Sequence, residues 1–132
     1  MTRSEALAFA RAWVDAWNRR DVAAVLAHFA DDAVFTSPKA ALFAGGAVVR
    51  GKPALAAYWQ RASAGVAELR FTLDRALWDA EARELLVLYD ARIDGTTRRA
   101  CELMRFDAEG RQVAGEALYG AELPGAAGEV SG

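Results

Sequence analysis

The sequence predicts one α+β domain in which three N-terminal helices pack on one face of a curved antiparallel sheet. Apolar residues recur every three or four positions through the first half of the 132-residue chain, as on the buried side of a helix. After Gly65 the period changes to two, in four runs separated by the turn-like segments DAEARE, DG and DAEG. Helices that precede the strands, instead of alternating with them, indicate an α+β class.

Composition limits the kinds of protein that this chain can be. A hydrophobic share of 54% predicts a filled globular interior, and a formal net charge of -2 without a basic cluster argues against a nucleic-acid partner. Cys101 and His28 are the single residues of their types, so neither an internal disulfide nor a zinc cluster can form. No run of 18 apolar residues occurs. We expect a cytoplasmic protein that has no membrane partner and needs no metal or other cofactor.

Two amphipathic helices are expected to open the domain. Thr2 and Glu5 have the spacing of a capping box, which predicts a first helix over about residues 4–18. Asp21 can cap a second helix, because its side chain can accept a hydrogen bond from a free backbone N–H of the first turn. The buried stripe of that second helix is expected at Val22, Val25, Leu26 and Phe29.

A strand, a loop and a third helix follow. Asp31 and Asp32 are expected in a turn before the segment AVFTS, whose β-branched and aromatic residues predict a short strand. Residues 38–49 contain a Gly-Gly pair with apolar neighbours, and we expect a mobile flap there. A third helix should begin at Gly51 and end at Gly65. Its inner side is expected to carry Leu55, Tyr58, Trp59 and Ala62.

The second half predicts four antiparallel strands and a tail. The alternating runs cover residues 69–78, 85–93, 97–106 and 113–121. The segment after Glu122 is Gly-rich and has no periodicity. We therefore predict a single domain over residues 1–122 and a disordered tail over residues 123–132.

Several stretches resemble the superfamily of ketosteroid isomerases, SnoaL-like proteins and nuclear transport factor 2. The opening stretch WVDAWNRRDVAAVLAHFADDAVFTSP resembles its first helices and strand, GKPALAAYW its third helix, and ELMRFDAEGRQVAGEALYG its last hairpin. The order and spacing of these stretches carry the resemblance, which covers nearly the whole chain. It implies a cone-shaped, cystatin-like nuclear transport factor 2-like fold with a small-molecule pocket inside the cone.

The resemblance also implies a general base just before the proline of the first strand, where this chain has Ser37. A serine hydroxyl is not basic near pH 7, so a proton abstraction would slow by on the order of 10²–10⁴ without the carboxylate. Ser37 can position a ligand, or it can merely form the turn before Pro38. His28, the one imidazole that could activate it, lies off the stripe of the second helix.

Glu102 is the candidate catalytic residue. Strand alternation places it on the face of Ala100, Met104 and Phe106, where burial would raise the pKa of its carboxyl group. The resemblance implies that Glu102 takes the place of the protonated aspartate that stabilises an enolate oxygen in the isomerases. Two alternatives remain: a bulge could turn Glu102 to water, or it could pair with Arg98 on the same face.

Two tryptophans stand where the resemblance implies pocket tyrosines. Trp13 and Trp59 can donate one hydrogen bond each but cannot relay a proton, so they favour a dry pocket for a flat apolar ligand. They could instead simply fill the core. Tyr58, Tyr89 and Tyr119 could supply hydroxyl groups. The ligand-binding residues predicted from these arguments are Trp13, Phe35, Ser37, Tyr58, Trp59 and Met104.

Two functions from different classes fit these residues. In the first, the pocket binds a small hydrophobic carbonyl compound and isomerises or cyclises it, with Glu102 as acid or oxyanion partner. In the second, the chain is a non-catalytic ligand-binding or dimeric interaction module. Cys101 and Leu103 on the outer sheet face, and apolar residues on both faces of LLVLYDARI, predict a homodimer through the sheet.

Overall fold

The computed structural model describes residues 1–43 and 45–124. In chain order, these residues form α1 (Arg3–Asn18), α2 (Val22–Leu26), β1 (Phe29–Thr36), α3 (Ala40–Phe43), β2 (Val48–Arg50), α4 (Lys52–Ala64), β3 (Leu69–Asp79), β4 (Glu84–Ile93), β5 (Thr96–Phe106) and β6 (Gln112–Leu123).

The six strands form one curved sheet that does not close, in the order β2-β1-β6-β5-β4-β3. Neighbouring strands are antiparallel except β1 and β6, which run parallel. The predicted α+β class, with helices on a curved and mainly antiparallel sheet, is confirmed. None of the helices in the described parts of the chain is long and apolar enough to cross a membrane.

Helix α1 has the predicted capping box. The Thr2 hydroxyl accepts a hydrogen bond from the Glu5 N–H at 3.1 Å, and the Glu5 carboxylate accepts one from the Thr2 N–H at 2.7 Å. Two of the four free donors at the helix start are thereby satisfied. The buried face of α1 lies against β3 and contains Ala6, Ala10, Trp13, Val14, Ala16 and Trp17.

The last residue of α1 closes one edge of the sheet. The Asn18 side-chain amide donates to the Phe71 carbonyl at 2.9 Å, and its carbonyl accepts from the Phe71 N–H at 2.7 Å. Because β3 is the last strand, its outward backbone groups have no further strand to pair with. Asn18 satisfies two of these groups and fixes where the helix meets the sheet.

The second helix is shorter than predicted, and two predictions about its end are wrong. Asp21 caps it by accepting from the Ala24 N–H at 3.0 Å, but α2 ends at Leu26. Phe29 is buried as expected, although it belongs to β1 and not to the helix. Asp31 and Asp32 lie inside β1 and not in a turn. Both point to solvent because the register of β1 shifts between Phe29 and Val34, as in a β-bulge.

The predicted flap contains regular structure. Within residues 38–49 lie the short helix α3 and the start of β2, whose Val49 is buried and pairs with Phe35 of β1. The chain therefore has a fourth helix that the sequence pattern did not predict, and Leu42 on it is 79% exposed. Ala44 lies outside the described residues, and the mobility of the segment stays a prediction.

Helix α4 and the last four strands occur where the sequence predicts them. Gly51, with φ +87°, precedes α4, Pro53 lies in its first turn, and Gly65 follows its end. Strands β3 to β6 match the four alternating runs within two residues at each end, and β6 reaches Leu123, one residue past the predicted domain boundary. The predicted disordered tail lies outside the described residues from position 125 onwards.

We predict that Asn18→Ala lowers the free energy of unfolding by about 1–3 kcal/mol, because two backbone groups of Phe71 lose their partners. Urea denaturation followed by tryptophan fluorescence measures this change. Gln60→Ala, an exposed substitution on α4, is the matched control and should change stability by less than about 0.5 kcal/mol. An Asn18 variant as stable as this control would show that the bridge does not hold the sheet edge.

Candidate functional site

A cavity of about 170 Å³ lies between α1, α4 and the inner face of the sheet, and its walls are mainly aromatic. Trp17 of α1 meets Trp59 of α4 edge to face, with ring centroids 5.3 Å apart. The Trp13 ring stacks on the Phe71 ring and meets the Tyr89 ring edge to face, with the Trp13 and Tyr89 ring centroids 5.2 Å apart. Because the same rings pack against one another and face the cavity, the wall and the core are one structure.

Most of the residues predicted for the pocket line this one cavity. Trp13, Phe35, Ser37, Tyr58, Trp59 and Glu102 are all in its wall. The exception is Met104, which is fully buried in the core and is not among the lining residues. The alternation that puts Met104 on the inner face is correct, but the cavity does not extend to it. The binding roles of the lining residues stay predictions.

Glu102 faces inward, as its position on β5 predicts, and is 4% exposed. On the neighbouring strands it pairs with Val87 and Ala117, both buried and apolar. Burial raises the pKa of the Glu102 carboxyl to about 8. At pH 7 most molecules therefore hold a neutral carboxylic acid there, which can donate a hydrogen bond. The alternative pairing with Arg98 does not occur, because the Arg98 guanidinium lies 3.7 Å from the Glu122 carboxylate instead.

Gly115 of β6 makes room for this carboxyl group. A Cβ atom at this position would stand 3.2 Å from Phe35 Cδ1 and 3.4 Å from Glu102 Oε2. Such contacts are tight for a methyl group in a packed interior. A glycine opposite Met104 therefore lets Glu102 and Phe35 both reach the cavity.

Three phenol groups surround the carboxyl group. Tyr58, Tyr89 and Tyr119 line the cavity, and burial is the main cause that raises the pKa of each hydroxyl above its usual value. The charge of an ionised Glu102 would raise these pKa values further. The phenols therefore stay neutral and, together with the acid, make this end of the cavity rich in hydrogen-bond donors.

Ser37 is almost completely buried, and it forms the predicted turn while also facing the cavity; its role in positioning a ligand stays a prediction. Its hydroxyl accepts a hydrogen bond from the Lys39 N–H at 3.2 Å, as in a turn. Its hydroxyl also faces the cavity. Burial raises the pKa values of Tyr58 and Tyr119, and hydrogen bonds with the Ser37 hydroxyl lower them by a smaller amount. His28 is exposed and packs on Phe9 at 4.9 Å, outside the cavity wall. Within residues 1–43 and 45–124, the wall holds no imidazole and only one carboxyl group.

Several lining residues were not among the predicted ligand-binding residues. The sequence pattern does indicate Trp17 and Phe71. Trp17 lies at helical spacing on the buried face of α1, and Phe71 lies at strand spacing on the inner face of β3. Tyr119 is also in the wall, on the strand beside Glu102. Lys39 is the least expected, since it lies between β1 and α3, where no periodic pattern indicates which way a side chain points.

Comparison with known proteins agrees with this architecture. Residues 10–115 match the model of the SnoaL-like domain. The chain belongs to the SnoaL-like family. No curated protein matches this SnoaL-like sequence.

Solved structures show the same fold. A SnoaL-like protein of unknown function from Burkholderia thailandensis is 32% identical, with a TM-score of 0.81 over 91% of this chain and 98% of that one. A nuclear transport factor 2-like protein of unknown function from Burkholderia pseudomallei is 27% identical, with a TM-score of 0.71 over 83% of this chain and 86% of that one. A hypothetical protein with a ketosteroid isomerase-like fold from Catenulispora acidiphila, solved with trimethylamine, is 19% identical, with a TM-score of 0.64 over 83% of this chain and 82% of that one.

The buried carboxyl group predicts a pH dependence of stability. The pKa of Glu102 is about 8 in the folded state, above the usual value of 4.5 for a glutamate in water. Below pH 4.5 the Glu102 carboxyl group is protonated in both the folded and the unfolded state. Between pH 4.5 and about pH 8 only the folded state keeps this proton. The free energy of unfolding should therefore fall as the pH rises towards 8, by a few kcal/mol in total, and stay level above that.

Denaturation of the wild type and of Glu102→Gln across this pH range measures the difference, because the amide does not titrate. The wild type should lose stability relative to the variant from about pH 5 to pH 8. Glu116→Gln, which removes an exposed carboxylate from β6, should run parallel to the wild type. If the stability of Glu102→Gln changed with pH in the same way as that of the wild type, the Glu102 carboxyl group would not be buried as an acid.

Proposed function

We propose that this SnoaL-like protein binds a small hydrophobic carbonyl compound in its cavity, with Glu102 donating a hydrogen bond to the carbonyl oxygen. The observation that carries the proposal is a carboxyl group that burial keeps largely protonated, in a wall that is aromatic and apolar over most of its area. A carbonyl oxygen needs a donor and cannot supply one, and the neutral acid and the surrounding phenols are donors.

The aromatic walls support a flat ligand of one or two rings. The cavity volume of about 170 Å³ is close to that of the engineered cavity of roughly 150 Å³ that takes up benzene. Trp13, Trp59 and Phe35 present ring faces and edges to this space. Apolar walls with a few convergent polar groups are typical of small-molecule sites.

An acid without a base limits the chemistry that this site could perform. Glu102 could stabilise a developing oxyanion during an isomerisation or cyclisation, but Ser37 cannot remove a proton from carbon. A catalysed reaction would therefore need a substrate whose C–H bond is already acidic, such as a 1,3-dicarbonyl compound. The described wall holds neither an imidazole nor a second carboxylate that could take up such a proton, which favours the second candidate, a protein that binds its ligand without converting it.

The binding role of Glu102 can be tested with 2-acetylnaphthalene and its hydrocarbon counterpart 2-ethylnaphthalene. We expect calorimetric titration to give tighter binding of the ketone by about tenfold, the effect of one buried hydrogen bond. Glu102→Leu should remove this preference because leucine has no donor, whereas Glu102→Gln, which keeps an N–H donor, should retain most of it. Equal affinity of the wild type for both compounds would refute the proposed role.

Proton exchange separates a catalyst from a binder. If the bound ketone is enolised, its methyl protons should exchange with deuterated solvent faster than in buffer, as measured by NMR, and Glu102→Gln should slow the exchange. If exchange with the wild type equals that in buffer while the ketone still binds, the protein is a binder for this class of compound. We expect the second result, because the part of the wall that the structure describes has no imidazole and no second carboxylate.

We also propose that two copies of the chain associate through the outer face of the sheet. Leu86, Leu88, Cys101 and Leu103 lie on this face, next to Leu118, which is 44% exposed. Arg99 borders this apolar patch with ion pairs to Asp74 and Asp90. An apolar centre with a charged rim is the usual composition of a protein interface.

We predict that the wild type sediments as a dimer at micromolar concentration and that Leu118→Asp sediments as a monomer. A carboxylate at this position would be buried in the interface without a partner, which costs several kcal/mol. Leu42→Asp is the matched control, because this leucine is exposed on α3, away from the sheet, and it should leave the dimer intact. A monomeric wild type would refute the interface.

A further inference from the structure

Lys39 brings a positive charge to the wall of an apolar cavity. Its side chain lines the main cavity and also a smaller one that shares Ile93 and Tyr119 with it. The Lys39 ammonium lies 4.5 Å from the centre of the Tyr119 ring, in cation–π contact. The Lys39 ammonium therefore lies where the two cavities meet, against an aromatic side chain and not in open water.

The charges near this ammonium are of the same sign. Arg98 lines the smaller cavity, and burial first and then the charge of Arg98 lower the pKa of Lys39. Among the described residues, no carboxylate lies within 4 Å of the Lys39 ammonium. Arg98 is also paired with Glu122 at 3.7 Å, so part of its charge is already offset, and Lys39 carries most of the positive charge offered to the cavity.

Arg98 lies away from the acid along the strand that carries both. Arg98 and Glu102 share the inner face of β5 and are four residues apart, which is about 13 Å along a strand. Lys39 is nearer, because its ammonium lies on the ring of Tyr119, one of the phenols around Glu102. Glu102, which is largely neutral at pH 7, does not offset the positive charge of either cation.

Resting on the function proposed above, we propose that the ligand is an aromatic carbonyl compound that also carries a carboxylate, and that this carboxylate binds Lys39 with Arg98 beside it. An anion there would relieve the repulsion between the two cations and gain more Coulomb energy than in water, because the site is half-buried. The site offers one ammonium and a guanidinium that is already shared with Glu122. This positive charge matches a singly charged carboxylate better than it matches a doubly charged phosphate.

The test compares 2-naphthoate with the neutral, nearly isosteric 2-acetylnaphthalene by calorimetric titration at low salt. We expect the wild type to bind 2-naphthoate about tenfold more tightly than the ketone, as for a charge pair in a partly buried site. Lys39→Met should lower the affinity for 2-naphthoate by about tenfold and change the affinity for the ketone by less than about threefold. Retained ketone binding also shows that the variant is folded.

Lys52 is the other lysine of the chain, at the start of α4, and Lys52→Met is the matched control, which should bind both compounds as the wild type does. The anion site would be overturned if Lys52→Met lost as much affinity for 2-naphthoate as Lys39→Met, or if Lys39→Met lost none. If the ketone binds and 2-naphthoate binds no better, this inference fails while the proposed function stands. If neither compound binds, both fail. Tighter binding of 2-naphthyl phosphate than of 2-naphthoate would overturn the assignment to a carboxylate.

Discussion

The burial of one carboxyl group is the constraint on which the rest of the site depends. Glu102 can lie inside only because it stays largely protonated, and it stays protonated only because Val87, Ala117 and the aromatic walls exclude water. Gly115 supplies the space beside the carboxyl group. The same surroundings keep the nearby phenols neutral, so a low-dielectric interior determines both the shape of the cavity and its hydrogen-bonding character.

Ser37 fixes the segment between β1 and α3. Its backbone N–H donates to the Ala47 carbonyl at 2.9 Å, and its hydroxyl accepts from the Lys39 N–H. These contacts fix the turn that carries Lys39 into the cavity wall. Because a serine hydroxyl is not basic near pH 7, this position holds the turn and leaves Glu102 as the one carboxyl group of the described cavity wall.

Much of this fold could be predicted from the sequence because its signals are local and periodic. Thr2 and Glu5 mark the start of α1, and strict alternation on β5 correctly placed Glu102 inside. The prediction was wrong at Asp31 and Asp32, since a β-bulge breaks the alternation and depends on how β1 meets β6. Met104 was assigned to the pocket for a similar reason: alternation gives the face of a residue, but the extent of a cavity depends on the packing of distant segments. Lys39 could not be predicted at all, because no period applies between β1 and α3.

The buried acid and the Lys39 ammonium share neighbours, which limits how the site can change. Tyr119 contacts the Lys39 ammonium through its ring and is one of the phenols around Glu102. Ser37 accepts from the Lys39 N–H and faces the same phenols. Substitutions at positions with shared partners usually do not act independently. A change in the turn after β1 would therefore alter the surroundings of the buried acid as well as the charge at the cavity wall, so the two properties are coupled within this fold.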